Sequence, residues 1–323
     1  MSGAHALIVA GPTASGKSAL AIALAERLGG VIINADSMQV YAELRVLTAR
    51  PTVEEEARVP HFLYGVRQAA EAGSAAWWRG AALEEMEKAR AAGRLPILCG
   101  GSGLYFSSLV QGMADIPSPG AAARAEARAL LDQIGPAALH ARLAEMDPET
   151  ARKLRPTDSQ RVARAWEVFR GTGHGIAYWQ APRGKIRGEK PAPWRFSALL
   201  LDPPREMLRE AIASRFGKML AEGALEEVRA LLAQKLDPAL PAMRAHGVPE
   251  LAAHLAGKIS LEEASRRAEL VTGQYTKRQA TWFRHHKLSD SGRTQMIHAR
   301  ITGLTQFSER ESAEIFNFIQ SEG

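Results

Sequence analysis

A single cysteine in 323 residues, Cys99, has no partner for an intrachain disulfide and excludes a Cys-rich zinc or iron–sulfur site. Apolar runs are short, and none approaches the roughly 20 consecutive residues of a membrane-spanning helix. Met1 to His5 leads straight into a strand-like run instead of a basic stretch followed by a signal-peptide core, so a cytoplasmic protein with no membrane partner is expected. Internal repeats and low-complexity segments are absent, and no obligate protein partner is evident. The composition is ordinary for a globular chain, with 46% hydrophobic and 24% charged residues, which excludes a mostly disordered, collagenous or fibrous protein. The length suits one large domain with an insertion, or two domains.

Charge is unevenly spread. The whole chain carries 41 Lys and Arg against 35 Asp and Glu, a formal net charge of +6. Ile116 to Lys190 alone holds 13 of the basic residues and 8 of the acidic ones, so most of the excess falls in that segment. A polyanionic partner follows as an expectation.

The first hundred residues alternate short apolar runs with helical periodicity, the pattern of a parallel sheet with crossover helices. Ala6 to Ala10, Val31 to Asn34 and Leu95 to Cys99 read as buried strands, and Ser18 to Leu28 and Leu83 to Ala92 as helices. After Gly112 the pattern becomes Ala- and Arg-rich helix without an evident strand. Gly171 to Pro193, rich in Gly, Pro and Lys, reads as a loop or mobile connection. Strand character returns at Phe196 to Asp202, and helices follow to Arg284. The expected fold is α/β: a parallel sheet of the P-loop NTPase type flanked by helices, with an inserted all-helical domain. Residues 1–115 with 191–290 form the core, 116–190 the insertion and 291–323 a loosely attached tail.

Gly11-Pro12-Thr13-Ala14-Ser15-Gly16-Lys17-Ser18 fits the phosphate-binding pattern G-x-x-x-x-G-K-[ST], between a strand and a helix as its mechanism demands. Glycines let successive backbone N–H groups face one concavity, the helix N-terminus adds partial positive charge, and Lys17 neutralises phosphate oxygens. Ser18 can hold Mg²⁺. An acid is missing where a nucleoside triphosphatase would carry one, because the strand Leu95 to Cys99 ends in Gly100-Gly101. The acid directly after an early strand is Asp36, which reads as a Mg²⁺ ligand, a general base or a helix N-cap. Gly100-Gly101-Ser102-Gly103 is either a tight turn or a loop that approaches a ligand. His61 reads as a packed or capping histidine, Trp77-Trp78 as packing, and Trp282 and Phe283 as core or as a platform for RNA bases.

Six ordered motifs now stand together: GPTASGKS at Gly11, INADSMQVY at Ile33, VPH at Val59, GGSGLYF at Gly100, DSQRVARAWEVF at Asp158 and QYTKRQATWFR at Gln274. In this set the chain resembles the bacterial tRNA dimethylallyltransferases, also called tRNA isopentenyltransferases, over Ala6 to about Lys287. The resemblance implies transfer of a dimethylallyl group from dimethylallyl diphosphate to N6 of adenosine 37 in tRNA, with Mg²⁺ as cofactor. It implies that Gly11, Pro12, Thr13, Ala14, Ser15, Gly16, Lys17 and Ser18 hold the diphosphate, which accounts for the missing acid. It makes Asp36 the base for the N6 proton, with Lys17, Ser102 and Arg215 beside it in the catalytic set. Contacts to tRNA would come from Asp36, Ser37, Met38, Gln39 and Ser102, and from Gln160, Arg161, Val162, Ala163 and Arg164. The basic insertion, Arg124 included, would grip the anticodon stem-loop by its phosphates. Ser102 stands where the family usually has Thr, His246-Gly247-Val248-Pro249-Glu250 replaces a Gly-Tyr-Arg or Gly-Tyr-Glu element, and Gly273 stands where Arg is common. The competing reading is a P-loop small-molecule kinase that binds ATP, and a non-enzymatic RNA-binding protein would leave the P-loop idle.

Overall fold

Both faces of a parallel strand are covered by helices, so such a strand is apolar throughout, and its alternate side chains enter two different cores. The computed structural model, which describes residues 4–181, 188, 190–289, 293–302 and 306–320, places the strand-like runs in this setting. Its sheet comprises β1 (Ala4–Ala10), β2 (Gly30–Asn34), β3 (His61–Phe62), β4 (Leu95–Gly100), β5 (Trp194–Leu201) and β6 (Thr294–Ile297). The order is β3-β2-β4-β1-β5-β6, and every pairing is parallel. From β1, Ala6, Ile8 and Ala10 enter a core with Trp78, Met86, Phe106 and Phe283, while Leu7 and Val9 enter the opposite one with Leu20, Leu24 and Cys99. The fold class is therefore a parallel sheet flanked by helices.

The strand order places β1 and β2 on either side of β4, so the segments after all three emerge along one rim. Beyond that rim the helices Arg205–Ala221, Ala224–Ala233, Val248–Leu255 and Leu261–His285 pack with Val40, Tyr41, Leu44 and Leu47 around a third core.

The chain forms two compact units, residues 1–111 with 191–323 and residues 112–190. The second unit is helical, and no strand occurs among its described residues. Its first helical stretch, Gly120–Met146, breaks at Gly135 (φ 73°), and Pro136 restarts it. Leu139, Leu143, Val162, Ala165 and Trp166 form a core of its own. The stretch expected as one long loop from Gly171 instead contains the short helix Ile176–Gln180, started at Gly175. Residues 182–187 and 189 lie outside the described residues, and with them Arg183, Lys185, Arg187 and Glu189 of the basic segment.

The expected loose tail is corrected. β6 adds to the sheet beside β5, and Ile297, Ile301, Ile315, Phe316 and Ile319 are buried against β1, β5 and the helix Lys17–Leu28. Burying such side chains stabilises by about 1.5–3 kcal/mol each, enough to hold the segment. The weak sequence pattern of this region reflects an edge strand: Thr294 and Met296 are exposed, and only Ile297 of the four strand residues is buried. No helix among the described residues is long and apolar enough to cross a membrane.

Candidate active site

The P-loop leaves β1 at Ala10 and turns at once, with Ser15 N–H donating to Pro12 O at 3.2 Å. Ala14 (φ 67°) and Gly16 (φ 89°) both adopt left-handed backbone conformations, and Gly16 caps the helix that starts at Lys17. Gly16 has no room for a Cβ, because the carbonyl of Ile301 occupies that space. Thr13 N–H donates to Gln279 Oε1 at 2.9 Å, and Gln279 Nε2 donates to Gly101 O at 2.9 Å, so one buried amide ties the P-loop to the loop after β4. Lys17 Nζ lies 3.5 Å from Pro12 O. Burial pulls its pKa below the ordinary lysine value, and the field of Asp36 acts in the other direction. The Ser15 hydroxyl is buried without a hydrogen-bond partner among the described residues.

Asp36 is set by its neighbours after β2. Asn34 is fully buried: its Oδ1 accepts from Asp36 N–H at 2.8 Å, and its Nδ2 donates to the carbonyls of Asp36 and Leu63, both at 3.0 Å. Trp78, stacked on Tyr105 at 4.3 Å, donates its Nε1–H to Asn34 O at 2.6 Å. Asp36 Oδ1 accepts from Met38 N–H at 3.0 Å, and Oδ2 has no partner among the described residues. No helix follows, so the N-cap alternative for Asp36 falls and the residue closes an Asx turn.

Ser102 lies beside this turn, its Oγ accepting from Ser37 N–H at 2.9 Å and donating to Ser37 Oγ at 3.2 Å. Ser102 N–H donates to Ala35 O at 3.1 Å, and the same carbonyl leaves no room for a Cβ on Gly100. The glycines after β4 thus form a tight turn, and its hydroxyl braces the segment that carries Asp36. Tyr275, from the helix Leu261–His285, reaches the same place beside Ser102 and Gln279, and burial raises its phenol well above the ordinary value. Gln39 spends its Nε2 donors on Thr48 O and Ala49 O at 2.9 and 2.7 Å, shaping the loop rather than facing outward.

A cavity of about 760 Å³ unites these groups: Lys17, Ser18, Asp36, Met38 and Arg215 are on its wall, with His246, Tyr275 and Arg300. Arg215, from the helix Arg205–Ala221, is lowered by burial, with Nη2 at 3.4 Å from Thr48 O. The cavity therefore offers cations at the P-loop and a carboxylate with one free oxygen, as acid–base chemistry beside a phosphorylated group requires. Among the described residues no three His, Cys, Asp or Glu converge as a metal cage. The Ser18 hydroxyl suits Mg²⁺, which binds through one or two protein oxygens, substrate phosphates and water. A second cavity of about 800 Å³, between the helices Arg205–Ala221 and Leu261–His285, mixes Arg205, Arg209 and Arg266 with Glu206, Glu210 and Glu269 and presents no single sign to a polyanion.

In the helical unit, Asp158 caps the helix Ser159–Thr172 by accepting from Arg161 N–H at 3.2 Å. Gln160, Arg161 and Arg164 are exposed, as is Arg124, which donates to Ser118 Oγ at 3.1 Å. Val162 is corrected: its side chain is fully buried in this unit's core and cannot meet a partner. Ala163 is half-buried. Arg161 and Arg164 pair with Asp158 and Glu167 at 3.6 and 3.1 Å, exposed ion pairs that a phosphate can displace at little cost.

The packing expectations divide cleanly. His61 Nδ1–H donates to Val59 O (2.8 Å) and the ring packs edge-on to Tyr64; Trp78 and Phe283 are core, and Trp282 stacks on His286 at 4.1 Å. Glu250 caps Gly247 N–H at 3.0 Å, and His246 packs edge-on to Tyr275 at 4.8 Å, which is what the replacement at 246–250 does here. Asn34, Gln279, Tyr275 and the 300–302 segment were not singled out from sequence. A polar residue on an otherwise apolar strand is the one signal that marks Asn34.

A sequence model described as IPP transferase matches residues 39–286. The chain is 60% identical over 318 residues to the tRNA dimethylallyltransferase of Granulibacter bethesdensis, covering 98% of each chain. It is 62% identical over 314 residues to that of Acidiphilium cryptum, covering 97% of this chain and 94% of the relative. Among solved structures, the tRNA isopentenylpyrophosphate transferase of Bacillus halodurans is similar with a TM-score of 0.66 at 30% identity, covering 98% and 96% of the two chains. A eukaryotic dimethylallyltransferase described as acting on tRNA is similar with a TM-score of 0.77 at 26% identity, covering 98% of this chain and 80% of that one.

Proposed function

The chain belongs to the IPP transferase family, and we propose that it transfers a dimethylallyl group from dimethylallyl diphosphate to N6 of adenosine 37 in tRNA. The observation that carries the assignment of roles is the cavity wall itself, on which Asp36, with Oδ2 free, faces the same space as Lys17 and Arg215. A kinase could use the same carboxylate as a base but would also need the acid that the strand before Gly100 lacks.

N6 of adenine is a weak nucleophile, its lone pair delocalised into the ring. As the N6–C1 bond to the dimethylallyl group forms, the allylic C–O bond breaks and its electron pair leaves with the diphosphate. Asp36 Oδ2 takes the N6 proton and later yields it to water. Lys17, Arg215 and the P-loop N–H groups face the charge that grows on the leaving group. The Ser18 hydroxyl would help hold Mg²⁺, which would supply further charge neutralisation at the diphosphate. The target base leaves its stack to reach the cavity, and the exposed Arg124, Arg161 and Arg164 of the helical unit bind tRNA phosphates. The cytoplasm is where such a reaction meets its RNA.

The test is to incubate the purified protein with Mg²⁺, dimethylallyl diphosphate and unmodified tRNA, digest the RNA and analyse its nucleosides by mass spectrometry. N6-dimethylallyladenosine is expected, and it is lost in Asp36→Ala and Lys17→Ala. No product from a folded protein that binds tRNA, together with ATP turnover on a small acceptor, would return the kinase reading.

A further inference from the structure

The segment after β6 returns to the opposite end of the sequence. Ile301 N–H donates to Ser15 O at 2.9 Å, and Arg300 Nε donates to Ala14 O at 3.1 Å. These two carbonyls belong to consecutive P-loop residues, Ala14 itself being at φ 67°. The segment is held in turn by Gln306, whose Oε1 accepts from Thr302 N–H at 2.7 Å and whose Nε2 donates to Arg300 O at 3.0 Å. Arg300, Ile301 and Thr302 lie on the wall of the cavity that Lys17, Asp36 and Arg215 share.

The chemistry of Arg300 fits that position. Its Nε is engaged by Ala14 O, which fixes the plane of the guanidinium, and no described residue accepts from its two terminal nitrogens. Among the described residues, none of Lys17, Arg215 and Arg300 forms an ion pair, and Arg300 is close enough to Arg215 for the two charges to oppose each other. Asp36 favours the charged Lys17 and Arg215 through its field but pairs with neither, so the three cations exceed the one carboxylate beside them and favour an added anion. A guanidinium fork anchored on one side presents two parallel N–H donors to a phosphate on the other.

We propose that Arg300 is a further diphosphate-binding residue, delivered to the P-loop by the C-terminal segment. It lies beyond residues 39–286, the part matched by the family's sequence model. The inference rests on the reading of the P-loop as a diphosphate site. A brace that only holds Ala14 O would need the Nε–H and not the charge, and the two roles separate by substitution.

The experiment measures the affinity for inorganic pyrophosphate by titration calorimetry and the KM for dimethylallyl diphosphate and for tRNA, in the full chain and in R300Q, R300K and Lys17→Ala. For R300Q, pyrophosphate affinity is expected to fall and the KM for dimethylallyl diphosphate to rise by about 10–100-fold, with the KM for tRNA within about twofold. R300K loses the bond to Ala14 O and the planar fork but keeps the charge, so its pyrophosphate affinity falls less than that of R300Q and stays within about tenfold of the wild type. Equal losses in R300Q and R300K, or none in R300Q, overturn the proposal. If R300Q does not fold, R300K decides, and a fall beyond about tenfold overturns it. Unaltered pyrophosphate binding in Lys17→Ala would instead overturn the P-loop reading, whereas loss there with none in R300Q removes Arg300 alone.

Discussion

Asn34→Asp changes one NH₂ to an oxygen in a fully buried side chain, and the structure says what that exchange costs. The Oδ1 bond from Asp36 N–H survives, but both donations of Nδ2, to Asp36 O and Leu63 O, are lost. Two carbonyls are left facing a carboxylate, at about 1–3 kcal/mol for each unsatisfied group, so a destabilisation of about 2–6 kcal/mol is expected at neutral pH. Burial and the two carbonyls hold the new carboxyl's folded-state pKa above its unfolded value of about 3.9. The deficit is therefore full above the folded-state pKa and shrinks as pH falls toward the unfolded one, because the protonated acid donates to one of the carbonyls again. Urea denaturation at several pH values, followed by circular dichroism, gives the stability. The same purified variant, assayed with dimethylallyl diphosphate and tRNA, is expected to lose about 100-fold in kcat, since the segment carrying Asp36 keeps only one of its two bonds to residue 34 and a displacement of about 1 Å suffices for that loss. A variant within about 0.5 kcal/mol of the wild type, with kcat intact, would refute the idea that Asn34 places Asp36.

Asp36→Asn keeps the Asx turn by its Oδ1 yet removes the base, so kcat falls by about 10²–10⁴-fold while tRNA affinity in a filter-binding assay is unchanged. Lys17→Met removes a charge whose folded-state pKa lies below the ordinary 10.5; burial of that charge costs stability throughout the neutral range, so the ligand-free variant melts no lower than the wild type and gains nothing from added pyrophosphate. A clear drop in its melting temperature would contradict this. Arg161→Ala and Arg164→Ala each weaken tRNA binding and reduce the slope of log affinity against log salt by about 0.7–0.9; unchanged slopes would place the RNA elsewhere.

What the sequence makes legible is what is local. Gly11 to Ser18 lies within one turn and carries its own flanks, and Asp36 directly follows an apolar run, so both are visible without knowing what packs on them. Arg215 came from the resemblance, and only the helix Arg205–Ala221 explains how it reaches a site nearly two hundred positions earlier in the chain. Gln279 illustrates what stays hidden: its two hydrogen bonds join loops after β1 and β4, and nothing in QYTKRQATWFR distinguishes that amide from a solvated one. Val162 failed in the other direction, because a motif carries its buried positions along with its exposed ones. The tail failed because β6 has one buried residue in four, too faint for a periodicity to register.

The bonds from Arg300 and Ile301 to Ala14 and Ser15 join residues almost three hundred positions apart. Ribosomes add about 5–20 residues each second and release the amino-terminal part first. A nascent chain thus carries the glycine-rich turn for most of its synthesis without the segment that braces it, and acquires the brace only after the last β-strand has emerged. On the proposal that Arg300 binds the diphosphate, a translation product that stops before this segment is expected to capture the anion more weakly than the finished chain.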